Sequence, residues 1–150
     1  MEKPLCLVSA CLLGVECRYD ATSRPLPRDV LEGLKARYSL VPLCPEQMGG
    51  LPTPRDPVQF YGGDGEAFWR GEARLLTEDG RDFSRALEKG AGEVLKLVEM
   101  LDIKLAILKD KSPSCGVSRV YREGELVRGV GVVTAVLLER GVRVLSGDEL

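Results

Sequence analysis

The sequence predicts an α/β fold: a single-domain, three-layer sandwich with a mostly parallel, Rossmann-like sheet of about four core strands plus small hairpin excursions. Three observations carry this. Short apolar runs at Leu5–Ala10, Ser39–Leu43, Ile103–Leu108 and Val142–Leu145 alternate with helical patterns. Runs this short, bounded by turn residues, suit buried strands better than helices. Strand, helix, strand in alternation is the signature of right-handed crossovers onto a parallel sheet. The 150 residues are 44% hydrophobic and 29% charged, enough apolar material for one core, and compact domains cluster at roughly 100–150 residues. One domain over residues 1–150 is therefore expected, without repeats or linkers.

The elements follow in order. Leu5–Ala10 lies between Pro4 and the Leu13-Gly14 turn, and Cys11 opens the loop after it. Arg24-Pro25-Leu26-Pro27 keeps that loop extended, since residues before proline avoid helical angles. Arg28–Tyr38 reads as a helix, with Val30, Leu31 and Leu34 at helical spacing and Asp29 in its first turn, where the helix dipole favours an acid. Ser39–Leu43 ends at Cys44. The next stretch holds Pro45, Gly49, Gly50, Pro52, Pro54 and Pro57, a density that argues against regular structure and for a shaped binding loop. Ala67–Arg70 and Glu72–Thr77 read as paired strands turning near Gly71. Phe83, Leu87, Ala91, Val94, Val98 and Leu101 form one stripe of a helix over Asp82–Leu101, locally weakened by Gly90 and Gly92. Val117–Val127 reads as a hairpin turning at Glu123-Gly124, and Val132–Arg140 as a helix capped by Gly141.

Composition excludes several functions. There is no histidine, so neither Cys–His nor Ser–His–Asp catalysis is available, and any metal site must use thiolate or carboxylate. Net charge is −2 and the pI near 5.3, against a long nucleic acid as partner. No stretch approaches the roughly 20 apolar residues of a spanning helix, and the apolar run after Pro4 is too short for a secretory signal. Five cysteines, an odd number, in a chain that is not loop-stapled point to reduced thiols and a cytoplasmic location.

Three cysteine turns carry the chemistry: Ser9-Ala10-Cys11-Leu12-Leu13-Gly14, Leu43-Cys44-Pro45-Glu46 and Lys111-Ser112-Pro113-Ser114-Cys115-Gly116. Each follows a predicted strand. Ligands of open α/β sheets bind beyond the carboxyl ends of the strands, so parallel strands would bring the three thiols to one edge. Cys6 lies inside the first strand and reads as a small core residue. Cys17, in the first loop, reads as a bystander before an auxiliary thiol near the site. Spacing alone leaves three readings open: a metal or iron–sulfur site, a lone nucleophilic cysteine, or core packing. Structural zinc normally takes four ligands with a close Cys-x-x-Cys pair, which is missing here. Iron–sulfur clusters accept dispersed thiolates, and three of them leave one iron open. Glu46 and the serines Ser112 and Ser114 stand beside these cysteines and can pass protons. Arg18, Lys109 and Lys111 can offset thiolate charge.

With Cys17-Arg18-Tyr19-Asp20, Gly49-Gly50-Leu51-Pro52-Thr53-Pro54-Arg55 and Lys109-Asp110 added, these motifs resemble the DUF523 family, which includes the thiouracil desulfidases. The similarity extends to Asp79-Gly80-Arg81-Asp82, Gly90-Ala91 and Gly131–Leu138, nearly the whole chain, in its short, single-domain form. The resemblance implies a [4Fe-4S] cluster on Cys11, Cys44 and Cys115, with the substrate's sulfur on the open iron. It implies Glu46 and Ser112 as catalytic residues. The implied reaction is non-redox: thiolated uracil becomes uracil and sulfide. The expected partner is a small thiolated pyrimidine, with no membrane and a monomer or homodimer as the assembly. Two alternatives make different predictions. A metal-free sulfurtransferase or hydrolase would use Cys115 as nucleophile, and a non-enzymatic module would bind a cluster or an anion without releasing sulfide.

Overall fold

All four apolar runs become strands of one sheet. The computed structural model describes residues 2–150. Its elements are β1 (Leu5–Ser9), α1 (Arg28–Arg37), β2 (Ser39–Leu43), α2 (Pro45–Met48), β3 (Gln59–Tyr61), α3 (Gly65–Trp69), β4 (Arg74–Leu76), α4 (Ser84–Met100), β5 (Leu105–Leu108), β6 (Arg119–Arg122), β7 (Glu125–Arg128), α5 (Val132–Glu139) and β8 (Arg143–Ser146). A 3-10 turn, Ala10–Leu13, follows β1. The main sheet has the order β2-β1-β5-β8 and every pairing is parallel. The chain leaves β1 for β2 on one side, then crosses back to β5 on the other. That reversal opens a crevice at the strand ends, where α/β folds place their ligands.

Strand alternation divides the core between two layers. On one face of the sheet Cys6, Val8 and Ile107 pack with Leu26 and Leu34 beneath α1. On the other, Leu7, Ala106 and Leu108 pack with Leu87, Ala91, Val94 and Val98 of α4 and Val133 and Leu137 of α5. A fully buried Val or Leu is worth about 1.5–3 kcal/mol, so the α4 stripe is a main anchor of its layer. The stripe stops short of its predicted end, because Leu101 is exposed.

The hairpin excursions join into a second four-stranded sheet, β4-β3-β6-β7. The Glu123-Gly124 turn is as expected, both residues having positive φ (49° and 88°). The pair predicted at Ala67–Arg70 and Glu72–Thr77 is not formed. Its first half is the helix α3, because the Asp64 carboxylate caps it, accepting from the amides of Glu66 (3.1 Å) and Ala67 (3.3 Å). β4 pairs instead with β3, which lies just beyond the proline-rich loop in a segment where the sequence suggested no element. The proline-rich loop itself, expected to lack regular structure, begins with the helix α2, with Pro45 at its first position, where a missing N–H costs nothing. Gly90 is not a weak point of α4. A Cβ there would lie 2.0 Å from the Pro45 carbonyl oxygen, so glycine lets α2 dock directly on α4. No helix among the described residues is long and apolar enough to cross a membrane.

Candidate functional site

The crevice is a cavity of about 640 Å³ at the ends of β1, β2 and β5. All five predicted site residues, Cys11, Cys44, Glu46, Ser112 and Cys115, line it. Different backbone devices bring them there. Cys11 sits in the 3-10 turn after β1, which Gly14 closes in the left-handed conformation, φ +96°. The Cys11 carbonyl accepts from the Arg24 amide at 2.9 Å, pinning the returning loop. Cys44 is the residue before α2, and Glu46 stands in the first turn of that helix. Ser9 Oγ, at the end of β1, accepts from the Lys109 amide at 2.9 Å and ties the β1 end to the β5 end.

The Cys115 loop is seated on α5. The first amides of a helix have no partner within it. Here those of Val132 and Val133 donate to the carbonyls of Pro113 and Ser114, each at 2.9 Å. The Thr134 hydroxyl donates to the Cys115 carbonyl at 3.1 Å. Gly131 allows the close fit, since a Cβ there would lie 2.4 Å from the Ser114 carbonyl oxygen. From the other direction, the Asp110 carboxylate gathers the amides of Lys111, Val117, Ser118 and Arg119.

The thiols share one environment. Cys11, Cys17 and Cys115 are buried and Cys44 is half-buried. Burial pushes the Cys115 thiol up to about 12, with the Cys44 and Cys11 thiols adding to it and hydrogen bonds from Ser9 and Ser114 opposing it. Burial raises Cys17 to about 12 as well, again reinforced by Cys44 and Cys11. Burial also raises Cys11, while Arg18 and Lys109 pull it down. Those two cations therefore act as expected, although Lys111 is exposed. Cys6 lies in the α1-side core, away from the cavity, and burial raises it to about 11.

Arg55 is the residue that motif reading left without a role. Its side chain is 4% exposed and forms a buried ion pair with Glu46. Nε donates to Glu46 Oε1 at 3.0 Å. Nη2 donates to the Cys17 carbonyl at 2.9 Å and approaches the Cys44 sulfur at 3.8 Å. Nη1 donates to Thr53 Oγ1 at 2.9 Å. One guanidinium thus joins the first loop, the α2 turn and the proline-rich loop. The available signal was a cation set between prolines at Pro54-Arg55-Asp56-Pro57. Ser114 completes the set: its hydroxyl lies 3.1 Å from both Glu46 Oε2 and Ser112 Oγ.

A larger group than a single ion fits this donor set. Among the described residues, no three Cys, Asp or Glu side chains are close enough to hold one metal ion. The thiols instead stand around an open volume. Arg18 Nη1 is buried at the cavity without any hydrogen-bond partner. Buried donors are normally satisfied, so the site is incomplete without an acceptor or anion beside Cys11. A cluster of thiolates and inorganic sulfide has that character.

Fold and site together define a small α/β protein with a thiol-lined ligand site at the switch point of a parallel sheet. The sequence narrows this further. A family model described as 2-thiouracil desulfurase matches residues 6–149, and the chain belongs to that family. The resemblance drawn from the three cysteine motifs is thereby borne out. The chain is 38% identical over 147 residues to YbbK of Bacillus subtilis (strain 168), covering 96% of each. It also matches the solved structure of the [4Fe-4S]-dependent thiouracil desulfidase TudS with a TM-score of 0.84 and 39% identity, covering all of this chain and 93% of that one.

Proposed function

We propose that this protein removes sulfur from a thiolated uracil, giving uracil and sulfide without net redox change. Cys11, Cys44 and Cys115 would hold a [4Fe-4S] cluster, with no fourth protein ligand. The observation that carries the proposal is the convergence of these thiols with Glu46 and Ser112 on one cavity. Family membership supports the reaction, and the likeness to TudS supports the cofactor. The chemistry that a cluster with an open iron supplies is Lewis-acid polarisation of a bound sulfur.

The chain's own residues do the remaining work. Arg18 and Lys109 offset the negative charge of the Cys11 thiolate. Glu46 takes the proton of the water that attacks the ring carbon, and the Ser112 hydroxyl relays it. The same proton returns to the departing sulfur, so thiouracil and water become uracil and hydrogen sulfide. Arg55 keeps Glu46 oriented through Oε1. Cys115 as a metal-free nucleophile is disfavoured, because burial raises its thiol, away from the thiolate that would attack.

The test is protein reconstituted without oxygen, analysed for iron, acid-labile sulfide and conversion of thiouracil. About four irons per chain, as the cluster requires, with sulfide released from thiouracil, is the expected result. Ser112→Ala should keep the visible spectrum and lose turnover. A colourless protein that refuses iron while its thiols stay reduced would overturn the proposal.

A further inference from the structure

We infer that Ser114 is a positioning residue, the middle link of a directional hydroxyl chain that carries protons between Ser112 and Glu46. This rests on the proposed desulfidase reaction and adds the route that its proton follows. The direction comes from counting donors and acceptors. Ser112 Oγ already accepts two amides, from Cys115 at 3.0 Å and Ser114 at 3.2 Å. A hydroxyl has two lone pairs and one proton. The Ser112 proton is what remains, and Ser114 Oγ lies 3.1 Å away.

Ser114 also has one proton and two acceptors in reach. Glu46 Oε2 is at 3.1 Å and the Cys115 sulfur at 3.7 Å. The carboxylate is nearer and charged, so it takes the bond. The resting order is Ser112 to Ser114 to Glu46. Glu46 is held so that only one oxygen joins this chain. Oε1 is bound by Arg55 Nε, and Oε2 receives the Ser114 hydroxyl.

The step then balances. Ser112 Oγ takes the proton released by the attacking water on the lone pair freed as the longer of its two amide bonds, that from Ser114 at 3.2 Å, gives way. Ser112 passes its own proton to Ser114, and Ser114 passes its own to Glu46 Oε2. Each hydroxyl loses one proton and gains one, and Glu46 ends neutral. Reversal of the chain delivers that proton to the leaving sulfur. Ser114 is 1% exposed and never needs to meet the substrate. Its neighbours fix it from both sides, since its amide is bonded to Ser112 Oγ and its carbonyl to the Val133 amide.

The experiment is a double-mutant cycle on the reconstituted protein with thiouracil, using Ser114→Ala, Ser112→Ala and the double variant. Links in series predict that Ser114→Ala lowers kcat on the order of 10²-fold, as for other proton-transfer groups. KM and iron per chain should stay at the wild-type level. The double variant should be no worse than Ser112→Ala alone, because both remove the same path. Multiplying losses, an unchanged kcat, or lost iron would each overturn the chain. Neutron diffraction on deuterium-exchanged crystals reads the same order without turnover. It should place the Ser112 deuteron toward Ser114 and the Ser114 deuteron toward Glu46. If wild type fails on thiouracil but the deuterons lie in this order, the substrate reading falls and the chain stands. If either deuteron points elsewhere, the chain falls whatever the substrate.

Discussion

Asp110 and Glu46 are two carboxylates at the same edge of the sheet, held in different ways. Asp110 Oδ1 accepts four amides, from Val117 (2.8 Å), Lys111 (2.9 Å), Ser118 (3.0 Å) and Arg119 (3.2 Å), and Oδ2 accepts the Ser118 hydroxyl at 2.5 Å. All five donors come from the next nine residues. Glu46 has one bond per oxygen, one from Arg55 across the proline-rich loop and one from Ser114 in a distant segment. A saturated carboxylate has no capacity left for substrate, so Asp110 is scaffolding that shapes the Cys115 loop. It also holds Lys111 in the left-handed region, φ +69°. A carboxylate with spare lone pairs on a cavity wall can still accept a proton. Saturation thus separates structural from working acids where proximity to the site does not.

The largest expected effect tests the working side. Glu46→Gln keeps the shape and an acceptor for Arg55 but removes the base. It should lower kcat by about 10²–10⁴-fold, the usual worth of a general base, while iron per chain and the unfolding midpoint hold near wild type. A Glu46→Gln protein that unfolds as readily as an Asp110 variant would break the comparison, since Glu46 would then be scaffolding too.

Asp110 should respond in stability first. Asp110→Ala leaves part-buried amides without acceptors, each costing up to about 1–3 kcal/mol where water does not enter. A loss of about 3–5 kcal/mol corresponds to a drop of roughly 6–20 °C in Tm for a chain this size. The pH dependence sharpens this. Burial alone would raise the Asp110 pKa, but the Ser118 hydroxyl and the amides of Ser118, Val117 and Arg119 outweigh it and hold the acid well below the ordinary range. A depressed folded value gives stability that is full above the unfolded value of about 3.9 and is lost as pH falls through the folded value. Denaturant titrations of wild type should therefore lose stability below about pH 4. Asp110→Asn, which cannot titrate, should show a flatter acid limb. Equal slopes would assign the acid sensitivity to other carboxylates.

What the sequence made legible was local. The four core strands, the α4 stripe and the three cysteine turns announce themselves through period and punctuation over a few residues. The converging thiols followed from topology, because parallel strands must end on one edge. Most of what escaped depends on partners remote in the chain. β3 is a strand because Phe60 pairs with Arg122 and Leu75 on either side. α3 hid behind a single cap at Asp64, and Gly90 looked like a helix defect until Pro45 lay across it. Arg55 and Asp110 were visible as motif letters. Their roles emerge only from which donors and acceptors surround them.

The smallest expected effect decides the ligand set. Cys17 is buried beside Cys44 and Cys11, so as a thiol it could compete for iron. Its useful contact is made by its backbone, however. The Cys17 carbonyl accepts Arg55 Nη2 at 2.9 Å and the Cys44 thiol at 3.7 Å, and neither bond involves the Cys17 side chain. Cys17→Ala preserves that carbonyl and removes one sulfur from a packed position, a cost of about 1 kcal/mol. Iron and sulfide content after reconstitution should match wild type, whereas Cys11→Ala, Cys44→Ala and Cys115→Ala should each lose the visible spectrum. Retention fixes the ligands at three and keeps an iron free for sulfur. If Cys17→Ala also loses its cluster, the site has four thiolate ligands. The open iron then disappears, and Glu46, however well poised, has no activated substrate to serve.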